Sequence, residues 1–110
     1  MIEGLWTVEF RTSIGGVGFG TVIFEKDGRV AGGDAGYYYM GSYTLDQDKI
    51  TGEVRVQRHN PREVSVFGPL EHGDLKISGT IQGSSMTVSG QLTQNPGVEI
   101  MIKATKEESF

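Results

Sequence analysis

Along most of this chain the hydrophobic side chains return every second residue rather than every third or fourth. That period suits strands with one buried face, because successive side chains on a strand point to opposite sides. Trp6, Val8 and Phe10 alternate with Thr7, Glu9 and Arg11. Over residues 49–59, Ile50, Gly52, Val54 and Val56 share one face, and Thr51, Glu53, Arg55 and Gln57 share the other. The pattern predicts strands at 5–12, 18–25, 29–32, 37–45, 49–59, 64–67, 74–82, 85–92 and 98–106. It predicts no convincing helix, although 62–67 has room for one helical turn. Lys26-Asp27-Gly28-Arg29 predicts a type I′ hairpin. Asn60-Pro61 breaks a strand, and Gly83-Ser84 and Asn95-Pro96-Gly97 predict later turns.

Short strands at spacings near ten residues fit an antiparallel barrel or a sandwich. Glycine favours the barrel. The chain has 17 glycines among 110 residues, roughly twice the average share. Ile50-Thr51-Gly52-Glu53-Val54, Ile77-Ser78-Gly79-Thr80-Ile81 and Val88-Ser89-Gly90-Gln91-Leu92 repeat one pattern, and Tyr39-Met40-Gly41-Ser42-Tyr43 resembles it. In each, the glycine has the parity of the inward residues, where a missing Cβ lets a strand coil sharply. The expectation is one all-β domain over 1–110, an antiparallel barrel of about eight strands. Parity places Trp6, Phe10, Tyr39 and Tyr43 inside, as core or as the lining of an apolar pocket. It places Tyr38 and Met40 outside. Tyr and Met are enriched at interfaces, and single apolar residues are also ordinary on a surface.

Composition narrows the function by exclusion. A net charge of −4 argues against binding a phosphate backbone, which calls for a basic excess or stripe. The one basic cluster, Arg55, Arg58, His59 and Arg62, reads as a solvated strand end. No apolar run reaches the roughly 18 residues of a membrane span. The N-terminus shows no signal-peptide pattern, so a cytoplasmic location is the expectation. The chain has no cysteine and only two histidines, His59 and His72, which leaves little for a zinc site; no metal and no cofactor are expected. Gly15-Gly16-Val17-Gly18-Phe19-Gly20 lacks the spacing and the following helix of a dinucleotide fingerprint. No serine sits in a nucleophile elbow. Glu25, Asp27 and Asp34 read as turn acids. No enzyme is expected. Asp46-Gln47-Asp48 lacks the ligand ladder of a calcium loop and reads as an acidic hairpin tip, which can dock a basic partner.

Gly4-Leu5-Trp6-Thr7-Val8-Glu9-Phe10, the Lys26-Asp27-Gly28 turn, and Gly32-Gly33-Asp34 followed by Tyr39 and Gly41 resemble the GrlR-like family, the negative regulators of type III secretion gene expression. The resemblance covers roughly residues 4–59. It implies a small lipocalin-like barrel and a homodimer, for which Tyr38 and Met40 are the candidate contacts. It also implies sequestration of a DNA-binding transcriptional activator without direct binding to DNA. The family contacts its partner through an acidic Glu-Asp-Glu-Asp loop; the matching positions here are Leu45, Asp46, Gln47 and Asp48, with two acids of the four. The alternative is a lipocalin- or avidin-like barrel holding a small apolar ligand, since Gly4-Leu5-Trp6 is similar to the opening of such barrels. Trp6, Phe10, Tyr39 and Tyr43 would then line the pocket. A filled interior would argue against a ligand, and a cavity would argue for one.

Overall fold

The structure is a computed structural model, and it describes residues 2–62 and 71–110. Eight strands follow one another: β1 (Gly4–Thr12), β2 (Val17–Phe24), β3 (Arg29–Gly33), β4 (Tyr37–Asp46), β5 (Lys49–Arg58), β6 (His72–Gln82), β7 (Ser85–Leu92) and β8 (Asn95–Ser109). Each pairs antiparallel with the next, and β8 returns to β1, so the sheet is a closed barrel. The expected all-β barrel is therefore the fold. The strand and helical turn considered within 62–67 fall largely outside the described residues. Among the described residues no helix is long and apolar enough to cross a membrane.

Parity holds around the wall. In β1, Trp6, Val8 and Phe10 are buried, while Thr7 and Arg11 are exposed. Together with Val22, Phe24, Val30, Ile50, Val56, Leu75, Met86, Val88, Leu92, Ile100 and Ala104, they build one interior. Tyr37 is buried, Tyr39 and Tyr43 are half-buried, and Tyr38 and Met40 are exposed.

The glycines that share this parity serve the curvature in two ways. A Cβ at Gly79 would collide with the carbonyl oxygen of Thr87 and sit 2.7 Å from the Cα of Val88. At Gly52 it would collide with the carbonyl of Ser42, and at Gly41 with that of Glu53. At these positions the neighbouring backbone occupies the space of a side chain, as a sharp coil requires. Gly90 differs, because its Cβ would meet the side chain of Ile100, Cγ2 at 2.8 Å.

Two turns depart from the sequence reading. The β2–β3 connection is not type I′. Gly28 has φ +94°, but Asp27 does not have the positive φ that a type I′ turn demands at both central residues. Instead Gly28 N–H donates to Glu25 O (3.2 Å), and Arg29 N–H donates to the Asp27 carboxylate (3.0 Å). Asn95-Pro96-Gly97 is not the β7–β8 turn. Leu92 pairs with Asn95 and Gln91 pairs with Glu99, so the register jumps and Pro96-Gly97-Val98 bulges within β8. A bulge is where a strand accommodates a proline.

Gly52→Val and Gly79→Val are each expected to cost about 3 kcal/mol in urea unfolding, the upper end of overpacking, because backbone must move. Thr51→Val and Thr80→Val, one step away on the outer face, are expected to stay within about 0.5 kcal/mol. Equal costs at the two sets would refute the inward assignment.

Candidate functional site

The two ends of the barrel differ. At the end where β1 begins, Trp6 is fully buried and its indole N–H donates to Ile2 O at 2.9 Å. Its ring meets Phe24 edge-on (5.9 Å between centroids), and Phe24 meets Tyr43 in the same way (5.2 Å). The Tyr43 hydroxyl donates to Glu25 O. Burial, and then the carboxylates of Glu3, Asp27 and Glu25, push the Tyr43 phenol above its ordinary range. Aromatic packing thus closes this end.

Toward the other end the interior is not filled. A cavity of about 290 Å³ is lined by Phe10, Val22, Phe24, Val54, Val56, Leu75, Ile77, Val88, Ile100 and Ile102, among others. It is roughly twice the 150 Å³ or so that suffices for benzene in an apolar protein cavity. Its lining reaches the surface at exposed Val17 and Phe19 of β2 and exposed Ala35 between β3 and β4, beside Gly18, Asp34 and buried Gly36. Phe19, opposite Glu9 in register, faces outward and is 67% exposed.

Local sequence shapes this border. A Cβ on Gly18 would strike the ring of Phe10, and one on Gly20 would stand 3.1 Å from the Tyr39 hydroxyl. The two strand glycines make room for an inward aromatic layer, in which Phe10 and Tyr39 meet edge-on at 6.2 Å. Opposite them the short connection folds back on itself. The Asp34 carboxylate accepts from Gly36 N–H (2.9 Å) and Tyr37 N–H (2.8 Å) through Oδ1, and from the Tyr39 hydroxyl through Oδ2. His59 and Asn60 backbone N–H groups both donate to Gly36 O, at 2.8 and 3.2 Å. The border is therefore held from the loop and from the end of β5. Burial, and then the hydrogen bond and charge of Asp34, push the Tyr39 phenol well above its ordinary range.

The four interior aromatics divide between the ends. Phe10 and Tyr39 border the cavity, whereas Trp6 and Tyr43 pack the closed end and do not line it. Leu45 turns inward against the core, so only Asp46, Gln47 and Asp48 present the tip to solvent. The tip is a two-residue turn between paired Asp46 and Lys49. Gln47 has φ 57°, and Ile81 N–H donates to Asp48 O at 2.8 Å. Sequence reading treated Asp34 as a turn acid and missed its bond to Tyr39. The available signal was an acid five residues before an inward tyrosine, with a glycine-bearing turn between them. Among the described residues no group of three or more His, Asp or Glu side chains could hold a metal ion.

The fold and this interior define a small closed β-barrel with an apolar cavity bordered by a carboxylate–phenol pair. No protein-family model and no curated protein matches the chain. Among solved structures it is similar to a redesigned beta barrel, with TM-score 0.68 and 13% identity over 97% of this chain and 92% of that one. At that identity the likeness shows the fold alone.

Tyr39→Phe is expected to cost about 1.5 kcal/mol at pH 8, the low end for a hydrogen bond to a charged group. The unfolded phenol ionises near pH 10, and the folded one holds its proton to higher pH. Above pH 10 the unfolded state therefore sheds a proton that the folded state keeps, and wild type loses about 1.4 kcal/mol per pH unit relative to Tyr39→Phe. Urea midpoints of the two proteins should differ at pH 8 and converge near pH 11. A constant gap would contradict the Asp34–Tyr39 coupling.

Proposed function

We propose that the protein is a non-enzymatic binding protein whose barrel interior takes a small, largely apolar ligand. The observation that carries this reading is the apolar cavity of about 290 Å³ with a border at the protein surface. A barrel of eight strands leaves either a filled core or room for one small ligand, and apolar clefts with few polar groups are the usual form of ligand sites. The neutral fluorophore N-phenyl-1-naphthylamine is expected to bind one per chain with a rise in emission. Val54→Phe, which fills the cavity from β5, is expected to weaken that binding at least tenfold while leaving the melting temperature within a few degrees. Absence of binding to wild type, or unchanged binding to Val54→Phe, would overturn the reading.

A second reading is favoured by the tip. Gln47 adopts a left-handed conformation that is costly for a residue other than glycine, asparagine or aspartate. Such strain clusters at functional sites. The flanking Asp46 and Asp48 are exposed, and a hydrogen bond anchors the turn to β6. In this reading the protein is a negative regulator that sequesters a basic, DNA-binding activator through Asp46, Gln47 and Asp48, as the GrlR-like resemblance implies. It works as a homodimer in which exposed Tyr38 and Met40 meet the second copy. Sedimentation at micromolar concentration is then expected to give the dimer mass. Against a partner captured from native extract, replacing both Asp46 and Asp48 with Lys is expected to slow association and reverse its salt dependence. A 12 kDa species would remove the dimer, and unchanged kinetics at two salt concentrations would remove the tip.

A further inference from the structure

The charges around the cavity are one-sided. Among its described lining residues Asp34 is the single charged side chain, and no Lys, Arg or His borders it. The Asp34 carboxylate already accepts three hydrogen bonds, two from backbone N–H groups and one from Tyr39. No cation lies within ion-pair distance of it among the described residues. His59 stands on the solvent side of the same loop. It is exposed, and its ring nitrogen lies 3.1 Å from the backbone oxygen of Asp34 rather than from its carboxylate.

The hydrogen-bonding sense of the pair follows. Tyr39 spends its only proton on Asp34, so its oxygen can only accept. An ionised carboxylate is likewise acceptor-only, with about four lone-pair sites, of which three are used here. The pair therefore offers acceptors and negative charge to whatever enters the cavity, and no donor. A carboxylate head placed beside the pair would lose its water without gaining a donor from it, next to a like charge. A hydroxyl or ammonium head would replace its lost water with the waiting acceptors.

Building on the ligand-binding reading above, we propose that the cavity takes amphiphiles whose head donates hydrogen bonds, a hydroxyl or an ammonium, seated at Asp34 and Tyr39. It discriminates against carboxylate-headed chains of the same length.

The test uses the full chain and three probes that share one tail: 1-octanol, octylammonium and octanoate. Each displaces bound N-phenyl-1-naphthylamine at pH 7. Octanol and octylammonium are expected to displace it at concentrations at least tenfold below octanoate. Asp34→Asn keeps an acceptor oxygen for Gly36 and Tyr37, and is expected to narrow that gap to less than threefold. If the naphthylamine binds but octanoate competes as well as octanol, the head preference is wrong while the cavity reading stands. If the naphthylamine binds and none of the three displaces it, the preference is equally refuted. If the fluorophore itself does not bind wild type, the cavity reading fails and the preference goes with it. If Asp34→Asn does not fold, as judged by circular dichroism, the wild-type ranking alone decides.

Discussion

Barrel closure rests on the pairing of β1 with β8, from Gly4 against Ser109 to Thr12 against Ile100. Without that seam the eight strands would form an open sheet, with two unpaired edges and an apolar face turned to water. With it, every inward residue of β1 gains a roof. The register shift between Leu5 and Trp6 lies beside the indole that closes one end of the barrel. The cavity, the aromatic floor and the carboxylate–phenol pair all depend on the enclosure that this seam creates.

Much of the wall was legible in the sequence, because parity is a local property. Trp6, Val8 and Phe10 alternate with polar residues whatever lies across from them, and the closed barrel buries the alternating set. The inward glycines were legible for the same reason, although their partners were not. That Gly79 faces a backbone carbonyl and Gly90 a side chain is decided by the register and coiling of the neighbouring strands, which parity within one strand does not carry. The Pro96-Gly97 bulge was misread as a turn because Thr93-Gln94, which carries no glycine or proline, makes the connection instead. Cavity volume was not legible at all. It is the small difference between a barrel radius and the summed side chains of many strands, and no window of sequence contains it. The Asp34–Tyr39 contact lay between these cases: both residues were noticed, but only the chain reversal at residues 34–36 brings them together.

β4 links the two features on which the proposed readings rest. It starts at Tyr37, beside the cavity border, and ends at Asp46, in the acidic tip beyond the aromatic floor. Tyr39, Tyr43 and Leu45 all lie on its inner side. The border and the tip are thus at opposite ends of one continuous strand, so a small molecule at one and a protein at the other would not compete for space. The fold separates the two readings spatially, and they can be examined independently.

The seam also sets a timetable. β1 and β8 are the first and last strands, so the contacts that close the barrel have nearly the greatest sequence separation the chain permits. Contacts of that kind make folding slow. During synthesis β1 must remain without its second neighbour until the last strand has left the ribosome, with Trp6, Val8 and Phe10 incompletely covered. A stalled or truncated nascent chain would thus expose an apolar strand edge of the kind that chaperones shield and aggregates recruit.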